Sequence, residues 1–241
     1  MIQIIDGLAV IPGRDDMIPD SHVYLVGYPE SHDLSLIDAG LMGKGKFKID
    51  ALKAASIPLQ DIKRIIMTHT HLDHIGCLSE LRQAIGPCEL WVHKIEADEL
   101  EKGDDRTVYG MDMFKQMCQT QYNIPEEAFT LTVDRKLQGG EVLNMGGMAW
   151  EAIHVPGHSA GGIALYSKEL KALIPGDVVY ADYAIGRFDL FGADGPELKN
   201  SLLKLSTYEL QILLPGHNQV VKNVPPGYIT NIVKQWGPYL V

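Results

Sequence analysis

The run RIIMTHTHLDHIG at residues 64–76 limits what this chain can fold into more than any other stretch. A short apolar segment with the character of a buried strand, 64–68, leads straight into three of the chain's nine histidines and an aspartate, all within positions 69–74. Imidazoles pack poorly and repel one another once protonated, so neither a helix nor a strand gains from such a cluster. A metal ion explains it, because metal chemistry asks for neutral imidazoles and carboxylates that project from a rigid element to one point. His69 and His71 are two residues apart, which in extended backbone puts both side chains on one side and within reach of one ion. Asp73 and His74 follow where the chain turns into a helix, and they can point to a second, adjacent position.

The rest of the chain must supply a core that holds this loop. Its 241 residues are 46% hydrophobic and 22% charged, enough to bury one sizeable core. Since α/β chains of this length are commonly one unit, a single domain over 1–241 is expected. The net charge is −10, and no run of Lys or Arg is longer than a pair. That field repels phosphate backbones and anionic lipid, so the expected partner is a small-molecule substrate, with no nucleic acid and no membrane; a homo-oligomer is left open. The N-terminus shows no basic segment followed by a long apolar one, and no apolar run approaches the ~18 residues of a membrane span, which points to the cytoplasm. Cys77, Cys88 and Cys118 are odd in number and lack Cys-x-x-Cys spacing; they read as buried free thiols.

Short segments rich in Val, Ile, Leu and Tyr predict strands at 2–11, 22–26 and 34–38, expected to form one antiparallel sheet. Helices are predicted at 47–55, with Ile49, Leu52 and Ala55 on one face, and at 75–85; a strand follows at 89–92. From 96 to 129 the pattern turns to charged helices with an apolar patch, Met111, Met113, Phe114 and Met117. A helical insertion whose apolar face packs on the core is expected there. A lid over a substrate pocket or an oligomer contact are the alternatives, because methionine suits adaptable apolar surfaces. Strands resume at 131–137, 141–144, 148–155, 162–167, 171–174 and 211–214. Pro196 opens a helix that carries Leu198, Leu202 and Leu205 on one face. This order of elements points to two sheets packed face to face with helices outside, an α/β sandwich.

THTHLDH resembles the signature of the metallo-β-lactamase-fold superfamily, and the other pieces of that pattern occur in order: VPGHSAGG at 155–162, PGDVV at 175–179 and LPGHN at 214–218. The resemblance implies a four-layer αββα sandwich with its metals at one edge between the sheets. It implies that His69, His71 and His158 hold one ion, that Asp73, His74 and His217 hold the other, and that Asp177 bridges. Asp38, in LIDAG, resembles an early aspartate that supports the metal-binding loop, since ligating histidines need an acceptor for their second ring nitrogen. His158, Asp177 and His217 each follow Pro-Gly after a predicted strand, and such tight turns can bring together side chains from distant parts of the sequence. The isolated His22, His32 and His93 read as surface or capping residues. His154 lies outside the ligand set.

The segment YADYAIGRFDLFGAD at 180–194 is similar to that of glyoxalase II and its shorter relatives, where an Ile-Gly-Arg-x-Asp-Leu run follows the bridging aspartate. The likeness implies that Arg187 and Asp189 organise the loop beside the site, or form a structural ion pair, and that Tyr180 or Tyr183 faces substrate. Two ions about 3.5–4 Å apart share a water and lower its pKa towards ~7, giving a hydroxide that attacks a carbonyl, with Asp73 holding it in line. The implied activity is hydrolysis of a thioester, lactone or related ester. Only 24 residues follow His217, fewer than the C-terminal helical region that carries much of the glutathione grip in full-length glyoxalase II. True β-lactamases fit less well, since the common di-zinc lactamases typically carry cysteine at the position of Asp177. Persulfide dioxygenases resemble glyoxalase II and bind one iron through two histidines and an aspartate, here His69, His158 and Asp177; an iron oxidoreductase is therefore the runner-up. A metal-binding protein without turnover comes third, because all seven ligand positions are kept. Two divalent ions are expected, zinc first and iron or manganese as alternatives.

Overall fold

The computed structural model describes residues 1–14 and 18–241. β1 (Ile2–Ile5) and β2 (Leu8–Ile11) form a hairpin about Asp6-Gly7, where Gly7 takes φ +71°. The single strand expected over 2–11 is thus split by an Asp-Gly turn. β3 (Val23–Val26) and β4 (Leu34–Ile37) continue antiparallel. After α1 (Gly45–Ala54) the chain returns to lay β5 (Ile62–Ile66) parallel to β4. α2 (Leu72–Ile75) and α3 (Leu78–Ile85) precede β6 (Glu89–His93), and α4 (Lys94–Lys102), α5 (Arg106–Tyr109) and α6 (Asp112–Tyr122) precede β7 (Arg135–Leu137). The seven strands lie in chain order, β4 to β7 parallel, so this sheet is mixed and not purely antiparallel as expected. Helical crossovers between strands dictate the parallel pairing.

The helix expected over 75–85 is two pieces. Asp73 O accepts from Ser21 N and Cys77 N donates to Gly40 O, so the backbone at the break pairs with neighbouring loops instead of continuing the helix. The strand expected over 131–137 shortens to β7, because Leu131 N donates to Leu100 O and Val133 N to Glu101 Oε1, so the chain bonds to α4 before Asp134 N reaches Leu90 O of β6.

The second sheet holds β8 (Val142–Met145), β9 (Met148–His154), β10 (Ile163–Ser167), β11 (Ala172–Ile174), β12 (Ile212–Leu213) and β13 (Val221–Lys222), in the order β13-β12-β11-β10-β9-β8. α7 (Gly195–Leu205) joins β11 to β12, and α8 (Tyr228–Trp236) follows β13. Strand side chains alternate between two faces, and here both faces are covered. Leu36 and Ile65 pack under the helices of the first sheet, whereas Ile37 and Ile66 meet Trp150, Leu165 and Ile174 of the second. On the far side, Ile153, Ala164 and Leu173 pack against α7 and α8. Three apolar layers therefore separate four structural ones, the expected αββα sandwich. Among the described residues no helix is long and apolar enough to cross a membrane.

The pairing also sets where loops meet. β4 and β5 are parallel, so their C-terminal ends share one edge. In the second sheet β9, β11 and β12 run the same way, because β10 is antiparallel to β9 and β11 while β11 is parallel to β12. Ile163 N donates to Thr68 O, tying the two sheets together at that edge.

Candidate metal centre

Five loops leave strand ends at this edge, and each brings one part of the cluster. Asp38, just past β4, adopts φ +64° and is 1% exposed. Its Oδ1 accepts from Thr68 N at 2.7 Å and its Oδ2 from Thr68 Oγ1 at 2.8 Å and His74 Nδ1 at 2.9 Å. His69 Nδ1 lies 3.1 Å from Thr68 Oγ1, which accepts from it while donating to Asp38. One carboxylate thus fixes the ring orientation of two histidines and leaves their Nε2 atoms facing inward.

The second sheet supplies the other side. After β9, Gly157 turns with φ +128° against the backbone of Leu198 in α7, and His158 Nδ1 donates to Arg187 O at 2.7 Å. His158 Nε2 then faces His69 Nε2 at 3.2 Å. After β11 comes Asp177, and after β12 Gly216 delivers His217. A Cβ at position 216 would sit 2.1 Å from Asp177 Oδ1, so that turn requires glycine. His217 Nε2 lies 2.9 Å from Asp73 Oδ2 and 3.4 Å from Asp177 Oδ2. Asp177 Oδ2 is also 3.7 Å from His158 Nε2.

Two ligand groups result, His69 with His71 and His158, and Asp73 with His74, Asp177 and His217; within each group the ligand atoms lie within 4.8 Å of one another. The donor set fits metal ions. His69 and His158 have each committed Nδ1 as a donor, so two lone pairs confront each other where a cation would sit. His71 Nε2 is buried without a hydrogen-bond partner, a costly state for a polar atom unless something else engages it, and His74 Nε2 faces Asp177 Oδ1 at 3.2 Å without a hydrogen bond of good geometry.

Electrostatics distinguish the two groups. Burial, followed by the imidazoles of His74, His71 and His158, holds His69 well below the ordinary histidine pKa. Burial and then His158 push His71 down to about 3. These rings are neutral, as ligands must be. In the second group burial opposes charge on His74, yet Asp177, Asp38 and Asp73 together hold it well above its usual value. Burial likewise opposes His217, but Asp177 and Asp73 raise it to about 10. Burial works against ionisation of Asp177, and His217 with His74 overcomes it, keeping the carboxyl well below its usual range. Without metal, protons supply the positive charge that these carboxylates attract.

A cavity of about 460 Å³ opens onto the ligands. His71, Asp73, His158, Asp177 and His217 form its floor, and Tyr180 and Arg187 stand at its wall. The Arg187 guanidinium pairs with Asp189 at 2.7 and 2.8 Å, and the Arg187 carbonyl accepts from His158 Nδ1. Of the two tyrosines expected as alternatives, Tyr180 lines the cavity and Tyr183 does not: the Tyr183 ring stacks on Tyr228 at 4.5 Å and its carbonyl accepts from Trp236 Nε1. Both partners belong to α8, which the sequence expectation omits. His154 stays out of both ligand groups, with Nε2 on Ala160 O and its ring stacked on His93.

Glu96 was missed by sequence reasoning. Fully buried at the start of α4, it accepts from Thr70 Oγ1 at 2.9 Å and Gly161 N at 3.0 Å, joining the histidine loop after β5 to the loop after β9. No local pattern marks it, since both partners are distant in sequence.

The profile of the metallo-beta-lactamase superfamily matches residues 19–217. A hydroxyacylglutathione hydrolase of Haemophilus influenzae is 27% identical over 194 residues, 79% of this chain and 82% of that protein. An acyl-coenzyme A thioesterase of Homo sapiens is 30% identical over 175 residues, which is 69% of this chain and 55% of the human protein; the chain spans about half the length of that relative. A crystal structure of a protein in a di-iron-bound form matches with a TM-score of 0.66 at 26% identity, covering 88% of this chain and 94% of that one.

Proposed function

The chain belongs to the metallo-β-lactamase superfamily, and from that premise we propose that it is a metal-dependent hydrolase of a thioester, with lactones and related esters as the wider class, glyoxalase II-like in its chemistry. The observation that carries this reading is Asp177 Oδ2, within 3.7 Å of His158 Nε2 and 3.4 Å of His217 Nε2, so that one carboxylate reaches both ligand groups. His69, His71 and His158 would hold one divalent ion and Asp73, His74 and His217 the other, with Asp177 shared; zinc is the first candidate, iron or manganese the alternatives. The resemblance to a protein crystallised with two irons supports a dinuclear site, and the two thioesterase relatives support the substrate class.

When bound, such ions lower the pKa of water from 15.7 towards ~7 and polarise a carbonyl oxygen. The chain's own groups do the rest. Asp73, partly exposed at the cavity floor, would accept a hydrogen bond from the attacking hydroxide and hold its oxygen in line with the carbonyl. Burial, then the Asp177 carboxylate, keeps the Tyr180 hydroxyl protonated well above its usual range, and the residue lines the cavity beside that carboxylate. Among the described residues the ionisable groups lining the cavity are the ligands, Tyr109, Tyr180 and Arg187. None is a free carboxylic acid or imidazolium placed for a leaving group. A thioester needs none, since a thiol with a pKa of about 8.5 departs as thiolate.

Elemental analysis of protein purified without added metal or chelator, followed by turnover of acyl thioesters, tests the reading. Close to two metal equivalents per chain and hydrolysis abolished by chelation are expected. One equivalent of iron with oxygen uptake on a persulfide would replace the hydrolase with a dioxygenase.

A further inference from the structure

The wall facing the ligands is apolar, and the insertion builds much of it. Val108 of α5 and Met111, Phe114 and Met117 at α6 line the cavity with Ile18 and Leu190. Met111 and Met117 are 37% and 43% exposed, apolar surface whose burial by a ligand is favourable, and methionine adapts its shape to flexible ligands. Other insertion residues, Tyr109, Cys118, Ile124 and Phe129, are buried in the core beneath the first sheet. The insertion thus packs on the core and at the same time roofs the site. Among the described residues Arg187 is the one cation lining the cavity, and Asp189 holds its guanidinium. The cavity therefore offers no unengaged cation to the carboxylates of a glutathione moiety or the phosphates of a coenzyme, and it offers hydrocarbon contacts to an acyl chain.

We propose that this cavity binds the acyl side of the substrate as an extended apolar chain under α6, with the carbonyl at the ligand groups, and so selects lipophilic acyl groups over short polar ones such as 2-hydroxyacyl. The position of the carbonyl rests on the hydrolase reading; the seat of the chain rests on the cavity alone.

Titration calorimetry of metal-loaded protein with straight-chain carboxylates, butanoate to decanoate, reads the chain without turnover. Affinity should rise about fourfold for each added methylene until the cavity is filled. Phe114→Ser and Met117→Gln should flatten that gradient. Met113→Gln should leave it unchanged, because Met113 is 76% exposed and does not line the cavity. Affinity independent of chain length, or a gradient that both cavity-facing variants retain, overturns the proposal. The same acyl series as thioesters of a small thiol separates the two readings. A binding gradient without hydrolysis removes the hydrolase and keeps the acyl seat, whereas hydrolysis at equal kcat/KM for all lengths, with no binding gradient, does the reverse.

Discussion

The clearest residue-level test lies where a side chain is forbidden. A methyl group at position 216 would fall 2.1 Å from Asp177 Oδ1 and 2.8 Å from His74 Cε1, so Gly216→Ala must displace one of these two proposed ligands. Elemental analysis should find less metal per chain in this variant than in the parent. His158→Ala and Asp177→Ala should lose metal and activity together, while His154→Ala keeps both because its ring contacts His93 and Ala160 O and no ligand. Full metal retention by the Asp177 variant would remove its bridging role. Asp38 touches no metal position yet orients His74 directly and His69 through Thr68. Asp38→Asn should weaken metal affinity by about 10–100-fold in a competition titration with a chromophoric chelator. Unchanged affinity would reduce Asp38 to an ordinary turn aspartate.

At the scale of elements, α4 and α8 carry consequences that the motifs do not show. Glu96 braces the two loops of the first ligand group, and burial keeps its carboxyl pKa above the usual range even though Ser159, Thr70 and Gly161 favour its charged form. Glu96→Ala leaves the Gly161 N–H and the Thr70 hydroxyl unpartnered, at a cost of about 1–3 kcal/mol for each group left unsatisfied. The denaturant midpoint should fall accordingly, and an unchanged midpoint would mean that water replaces the carboxylate. α8 was legible although the expected elements lack it: Ile229, Ile232, Val233 and Trp236 fall at i, i+3, i+4 and i+7, and all four pack in the cluster shared with α7 and the second sheet. Its omission left Tyr183 without the partner that turns it away from the cavity. The Asp6-Gly7 turn was likewise visible in the sequence. The break between α2 and α3 was not, because partners from 21 and 40 make it.

For the whole molecule, the two ligand groups should give the metal-free protein opposite responses at the two ends of the pH scale. His71 titrates near 3 in the folded chain against an ordinary 6.5. The unfolded chain therefore binds the proton first, and stability falls as pH drops from 6.5 towards 3. His217 is raised to about 10, so the stability it contributes is fully present below 6.5 and is lost as pH rises through 10. Thermal melts of chelated protein should show a maximum between these windows. Metal loading should raise the melting temperature, by about 2.7 kcal/mol of linkage at a free concentration of 100 Kd. It should also flatten the alkaline limb, because His217 then carries an ion in place of a proton. An alkaline limb of equal slope with and without metal would show that His217 is not a ligand.

Most of the chain's strands, the Pro-Gly turns and the residue types of the candidate ligands were determined locally. Buried strands must be apolar on both faces, tight turns need glycine, and an imidazole cluster has little use apart from a metal, so each leaves a mark in consecutive residues. The antiparallel or parallel sense of the first sheet, the brace from Glu96, the turning away of Tyr183 and the apolar roof over the ligands were decided by tertiary structure alone. Each depends on side chains that meet across long sequence separations, and no local pattern encodes which distant surface a given face will cover.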